Sequence, residues 1–297
     1  MTNSKTLLVT GSTGQLGQSL KAIARDYPNY KIVFASRQQL DLSDVESIDS
    51  YFQQTRFDVI INCAAHTGVD KAETEVELAN QINHFAVKQL ADIAATQNSK
   101  LIHISTDYVF NGKQCRPYRE TDIVEPQGVY GKTKLAGEHA IQKVLNTNAV
   151  IIRTSWVYSE YGNNFVKTML KLGRERDSLN VIFDQVGTPT FANDLAKAIF
   201  DIVQSDYFNQ IQFDTNIVHF SNEGVCSWYD FAKTIFESAH IQCSVNPIET
   251  KQYPTPAKRP HYSVLNKAKI KDRYKLIIPY WKDSLHQCLT ALLDLQK

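Results

Sequence analysis

Two residues of this chain have the types and spacing to pass a proton to a substrate oxygen: Tyr130 and Lys134, in the run Tyr-Gly-Lys-Thr-Lys. The pattern predicts a helix over 130–145, and residues four apart on a helix share a face. A phenol is a weak acid, with a reference pKa of about 10. A nearby ammonium stabilises the phenolate and lowers that value, so Tyr130 is a candidate general acid and Lys134 the group that tunes it. Spacing alone also fits a half-buried Tyr beside a surface Lys, so the surrounding elements must decide. A third candidate, Thr106, follows a predicted strand over 100–105. Its hydroxyl can hold a carbonyl oxygen near Tyr130, or bond only to local backbone.

The start of the chain supplies a cradle. An apolar run over 6–10 reads as a strand buried on both faces. It leads into Gly11-Ser-Thr-Gly-Gln-Leu-Gly17 and an amphipathic helix over 15–25. Strand, Gly-rich turn and helix together form a dinucleotide fingerprint. Gly11 permits the tight turn, Gly14 admits the pyrophosphate, and Gly17 allows close helix–strand packing; Thr13, Gln15 and Leu16 complete the contact surface. The helix N-terminus then faces the diphosphate. The spacing is Gly-x-x-Gly-x-x-Gly, distinct from Gly-x-Gly-x-x-Gly.

The next strand, over 31–35, ends in Ser36-Arg37, where an NAD-selective site would carry an acid against the ribose. A cation there favours the 2′-phosphate of NADP; the alternative is a solvated Arg37. Asp41 and Leu42 lie beside the adenine, or Asp41 caps a helix over 44–54. A buried strand over 58–63 runs into Ala64, Ala65 and Thr67, small enough to leave room for a flat ring or its ribose. Further elements are a loop and helix from Val69 to about 95, the strand over 100–105, and a strand over 149–154. His103 falls inside its strand and reads as core. The alternation implies an α/β fold: a doubly wound parallel (Rossmann) sheet that binds ligands at its C-terminal edge.

Residues 1–155 are therefore expected to form an NAD(P)-binding Rossmann domain. Residues 156–297 read as mainly a smaller C-terminal substrate-binding domain, with about 191–205 returning to the first. Its elements are helices over 164–174, 193–204, 228–239 and 281–295, a strand over 181–183, and a Pro-rich loop over 253–260. The 32 basic and 31 acidic residues nearly cancel, with no basic run of the kind that marks nucleic-acid binding. No apolar stretch is long enough for a membrane span, and residues 1–5 lack a signal-peptide core. The five scattered cysteines read as reduced thiols of a cytoplasmic protein.

The Gly11–Gly17 turn, the run Ser-Thr-Asp-Tyr-Val-Phe over 105–110 and the Tyr130/Lys134 pair together resemble the extended short-chain dehydrogenase/reductases. Ala-Ala-His-Thr-Gly-Val-Asp-Lys-Ala-Glu over 64–73, Val-Tyr-Gly-Lys-Thr-Lys-Leu-Ala-Gly-Glu over 129–138, Arg-Thr-Ser-Trp-Val-Tyr over 153–158 and Gly-Asn-Asn-Phe over 162–165 narrow this. With residues 185–190 and Tyr-Pro-Thr-Pro-Ala-Lys-Arg-Pro over 253–260, they are similar to the dTDP-4-dehydrorhamnose reductase family across nearly the whole chain. The resemblance implies reduction of the 4-keto group of dTDP-6-deoxy-L-lyxo-4-hexulose to dTDP-L-rhamnose. NADPH, or alternatively NADH, would be the hydride donor, with Thr106, Tyr130 and Lys134 catalytic and Lys134 also binding the nicotinamide ribose. It implies sugar contacts at Val69, Asp107 and Trp156, with Trp156 alternatively core, and nucleotide contacts at Asn164 and Arg259. Some family members are dimers with a carboxylate-bound Mg²⁺. Here Asn193 stands in the segment where such a carboxylate is sought, so no metal ligand is assigned and both metal and homodimer stay open.

Other readings of the same residues make different demands. A sugar-nucleotide dehydratase needs a second acid after Thr106-Asp107, where this chain has Tyr108. An epimerase usually carries the acid absent at Ser36-Arg37. A non-catalytic NADP-binding regulatory subunit, or a reductase of another nucleotide 4-keto-sugar, would share the fold.

Overall fold

The computed structural model describes residues 4–294. Residues 1–3 and the expected end of the last helix at 295 lie outside the described residues. Strand and helix alternate through the first half: β1 (Lys5–Thr10), α1 (Gln15–Ile23), β2 (Tyr30–Ala35), α2 (Val45–Gln54), β3 (Val59–Asn62), α3 (Val69–Ala72), α4 (Val76–Asn80), α5 (Ala86–Gln97), β4 (Lys100–Thr106), α6 (Val129–Val144) and β5 (Ala149–Thr154). The second half is built of β6 (Val157–Tyr158), α7 (Phe165–Glu175), β7 (Ser178–Ile182), β8 (Val186–Gly187), β9 (Thr190–Phe191), α8 (Ala192–Gln204) and α9 (Asp206–Asn209). There follow β10 (Asn216–His219), β11 (Cys226–Ser227), α10 (Trp228–Ser238), β12 (Ser244–Ile248), α11 (Ala268–Tyr274) and α12 (Trp281–Asp294).

The central sheet has the order β10-β5-β4-β3-β1-β2, and every pairing in it is parallel. Its strands are apolar runs because both faces are covered. Leu7, Val9, Ile61, Ile102 and Ile152 point to one face, against α1 and α8. Leu8, Ile60, Leu101 and Ile151 point to the other, against α2, α5 and α6. Burying each such side chain contributes on the order of 1.5–3 kcal/mol. The edge strand β10 carries no periodic signal: it is four residues long, with Asn216 buried at one end and His219 at the other.

The expected long helix toward 95 is broken in the structure. α3 and α4 are short, and a π-helical turn over Gln81–Phe85 precedes α5. Asn83 in that turn is buried and holds His66 through both backbone groups, N–H to Oδ1 at 2.9 Å and Nδ2 to the carbonyl at 3.1 Å. Its Nδ2 also reaches Thr133 on α6 at 3.2 Å. A third apolar cluster joins α7, α10 and α12 around Phe231 and Trp281. β7 pairs there with β12, a strand the sequence pattern did not mark. α8 packs with the sheet: Leu195, Ala196 and Ile199 share the cluster of Leu7 and Leu20.

β1 lies between β2 and β3, so the chain crosses to opposite sides of β1 on its way out and back. This switch point opens a crevice at the C-terminal edge, from which the Gly11 turn emerges.

Candidate active site

A cavity of ≈ 700 Å³ lies along that edge, and every cofactor, catalytic and substrate candidate named above lines it. The ends of β1, β3, β4 and β5 form its floor. Trp156, Trp228 and Arg259, from the second half of the chain, form its far wall.

At the Gly-rich end, Gly11 has φ +64°, and a Cβ there would stand 2.8 Å from the Ala64 backbone. A Cβ on Gly17 would stand 2.4 Å from the Gly11 carbonyl oxygen. The turn therefore closes only with glycine at these two positions. Gly14 is the N-cap of α1 and offers no capping side chain, so the helix's first N–H groups remain for an anion. These features fit a dinucleotide diphosphate.

Arg37 is held by its neighbours, with Nε donating to Asp41 Oδ2 at 3.1 Å and Nη2 to Ser43 Oγ at 3.2 Å. Burial works to raise the Asp41 pKa, but hydrogen bonds from Ser43 and the Arg37 charge hold it below the usual carboxylate value. The cap of α2 is Asp44, whose side chain accepts from Glu46 N–H at 2.9 Å. Asp41 is thus not the cap: its carboxylate belongs to Arg37 and Ser43.

Tyr130 enters at the start of α6. Gly128, the N-cap, has no side chain to offer, and Glu73 supplies the cap by accepting from Val129 N–H at 2.8 Å. The Tyr130 ring packs edge-on to Tyr108, centroids 5.5 Å apart. Burial pushes the Tyr130 phenol above its ordinary pKa; a hydrogen bond with Thr106 pulls it down, and Asp107 and Tyr108 push it up. Thr106 also does the local work weighed for it, accepting from Tyr108 N–H at 3.2 Å.

Lys134, one helical turn beyond Tyr130 on α6, is buried. Its Nζ donates to the Ile104 carbonyl at 2.6 Å and sits 3.3 Å from His103 Nε2. Burial lowers its own pKa to about 8, against the opposing pull of Glu138 and Cys63.

Asp107 is fully buried beside Thr106, and burial raises its pKa to about 6. Arg259 reaches Asp70 Oδ2 at 2.6 Å and the Tyr108 hydroxyl at 3.2 Å, fastening the 253–260 loop across the rim near Val69. Trp156 has φ +48°, uncommon for a bulky residue, and stacks on Trp228 at 3.6 Å. Its alternatives merge: it is a packing partner that also faces the cavity. Asn164 caps α7 by accepting from Lys167 N–H at 3.1 Å, and its Nδ2 binds Gln15 Oε1 at 2.9 Å. Its amide therefore joins the two halves of the chain. Sequence reasoning missed Tyr108 and Trp228 as cavity residues. Tyr108 was readable from its place after Thr106-Asp107; Trp228 was hidden as the first residue of a helix.

Asp194, next to Asn193, is turned inward to Asn222 Nδ2 at 2.7 Å and to the Ser284 hydroxyl. Among the described residues, no group of three or more His, Cys, Asp or Glu is arranged to hold a metal ion. Among them too, no helix is long and apolar enough to cross a membrane.

A doubly wound parallel sheet with a Tyr/Lys-bearing helix over its C-terminal crevice defines the class of Rossmann-type oxidoreductases. Residues 5–293 match the family model described as RmlD substrate binding domain. A dTDP-4-dehydrorhamnose reductase of Aggregatibacter actinomycetemcomitans is 41% identical over 285 residues, 94% of this chain and 96% of that protein. The crystal structure of a dTDP-4-dehydrorhamnose reductase from Clostridium acetobutylicum superposes with a TM-score of 0.90 at 40% identity, covering 97% of this chain and 99% of that one. The Bacillus anthracis reductase, solved in complex with NADP, gives 0.90 at 35% identity with the same coverage. The chain belongs to the RmlD family, that of the dTDP-4-dehydrorhamnose reductases.

Proposed function

We propose that this chain reduces the 4-keto group of dTDP-6-deoxy-L-lyxo-4-hexulose to give dTDP-L-rhamnose, with NADPH as the preferred hydride donor, in the cytoplasm. In this reading residues 1–155 hold the dinucleotide and 156–297 mainly the sugar nucleotide, with about 191–205 serving the first. The observation that carries it is that Thr106, Tyr130 and Lys134 line one cavity together with the Gly-rich turn, Trp156, Trp228 and Arg259. The dinucleotide, when bound, supplies the hydride that reaches C4. Thr106 holds the ketone oxygen, and Tyr130 gives that oxygen its proton. Burial keeps the phenol protonated at neutral pH, as a general acid must be. Lys134 stays cationic below about pH 8 and binds the ribose hydroxyls. Asp107, Val69 and Trp156 face the sugar, while Arg259 is the cation for the diphosphate of the sugar nucleotide once Asp70 releases it. The decisive test is NADPH oxidation with the keto-sugar generated in situ, with dTDP-rhamnose as product; NADPH binding without turnover sinks the reading.

Two further expectations attach to this site. Replacing Arg37 by Ala should weaken NADPH about tenfold and leave NADH nearly unchanged, because only the first carries a 2′-phosphate to lose a charge-assisted bond. Fluorescence titration decides, and equal losses would remove Arg37 from that role. The alkaline limb of kcat should have its midpoint near the Lys134 value of about 8, since burial leaves Tyr130 to ionise later. A limb near 10 would show that Lys134 is not the group that fails first.

A further inference from the structure

Below the cavity runs a line of buried polar side chains that the reaction as described does not use. Thr10, Asn62 and His103 are register neighbours on β1, β3 and β4. The preceding rows of the same strands, Val9-Ile61-Ile102 and Leu8-Ile60-Leu101, are wholly apolar. All three polar residues are buried, His103 completely. Thr10 Oγ1 donates to Asn62 Oδ1 at 2.7 Å, the Asn62 amide meets His103 Nδ1 at 3.0 Å, and His103 Nε2 meets Lys134 Nζ at 3.3 Å. Buried polar groups are costly unless bonded, and an apolar row would pack the sheet as well. What distinguishes this row is where it ends, on the ammonium of Lys134.

The bonding has only two consistent patterns. If Asn62 Nδ2 donates to His103 Nδ1, the imidazole proton sits on Nε2 and confronts the ammonium, donor against donor, unless Lys134 is a neutral amine. If the Asn62 amide is turned over, its oxygen accepts from Nδ1–H, its nitrogen donates to Thr10, and Nε2 accepts from Lys134. An ammonium that already donates to the Ile104 carbonyl is satisfied only in the second pattern.

We propose that His103, fixed by Asn62 and Thr10 as the neutral Nδ1–H tautomer, is the positioning residue that accepts a hydrogen bond from Lys134 and holds it as a cation beneath the cofactor ribose. This deepens the reductase reading and rests on Lys134 having its place there. The row is fixed at its far end, where Thr10, 1% exposed, accepts from Ala64 N–H at 3.3 Å. The other charged or titratable groups acting on Lys134 are Cys63 at the end of β3 and Glu138 on its own helix, with Arg153 behind Glu138. Among these, His103 is the neutral imidazole acceptor.

Removing an acceptor from a charged group disfavours the charged form. Replacing His103 by Leu should therefore move the alkaline limb of kcat to lower pH by about one unit. The rate loss should grow with pH, reaching roughly fivefold at pH 8 as the active fraction falls from about a half to about a tenth. KM for the keto-sugar should barely change. His103→Gln, whose amide oxygen can accept, should restore the limb. A loss equal at all pH values, or one that Gln does not rescue, overturns the proposal. A readout independent of turnover is long-range ¹H–¹⁵N NMR of the histidine-labelled apo chain, with His103→Gln assigning the signal. We expect His103 neutral, protonated at Nδ1, from pH 5 to 9; an Nε2–H tautomer overturns the proposal whatever the enzyme's activity. If wild-type protein leaves the keto-sugar untouched while the Nδ1–H signal is present, the reductase reading fails and the bond to Lys134 stands.

Discussion

Replacing Tyr130 by Phe should lower kcat by about 10²–10⁴-fold, the range over which a positioned general acid contributes, and leave NADPH affinity within about twofold. The ring supplies its packing without the hydroxyl: Tyr108 meets it edge-on at 5.5 Å, and Phe keeps that contact. The hydroxyl is what the chemistry lacks. In the proposed reaction a hydride arriving at C4 leaves an alkoxide that must be neutralised inside a buried site, and the phenol that hydrogen-bonds with Thr106 is the acid assigned to it. Asp107, raised by burial to about 6, is mostly ionised at neutral pH and is a poor substitute. Because Asp107 can still carry a proton in acid, the residual rate of the variant should be highest near pH 5. The effect belongs in kcat, since the lost interaction is realised only as charge develops. Steady-state kinetics with a parallel NADPH titration decide: a variant within tenfold of wild type would mean that another group donates the proton.

How much of this was legible in the sequence varies with how local the cause is. β1, its glycine turn and α1 could be read because each depends on neighbours in the chain: an apolar run, a φ that only glycine adopts easily, and an amphipathic period. The pairing of Tyr130 with Lys134 was read from helical spacing, and both do line the same cavity. The partners of the Lys134 ammonium were not readable, because the Ile104 carbonyl and His103 that it meets are about thirty residues upstream, on a strand packed beneath the helix. The same holds for Glu73 capping α6 across 56 residues, and for Asn83, whose three bonds to the active-site loop and α6 depend on a π turn that no period announces. β10 and β12 are short edge strands whose partners define them. Asp41 against Asp44 shows the limit from the other side: both suit a cap, and only packing decides that Asp41 serves Arg37.

The stability of α6 should depend most on a pair far from solvent. Arg153 on β5 donates through Nε and Nη2 to the two carboxylate oxygens of Glu138 on α6, at 2.9 and 2.6 Å. The two side chains are 2% and 0% exposed. Ser105, beside Thr106, gives its hydroxyl to the same carboxylate, so one acid ties α6 to β4 and β5. Breaking a buried pair by removing one partner strands the other charge, at about 3–5 kcal/mol. Arg153→Leu should destabilise the chain by that amount, read as a lower denaturant midpoint. Removing both partners, with Glu138→Leu added, should recover part of the loss, since an apolar pair of similar volume needs no desolvated charge. The two variants should differ in chemistry as well. The Glu138 carboxylate helps keep Lys134 cationic, so only the variant lacking it should show an alkaline limb moved to lower pH. Arg153→Leu within about 1 kcal/mol of wild type would mean that the sheet and α6 are held by their apolar contacts alone, with the ion pair a passenger.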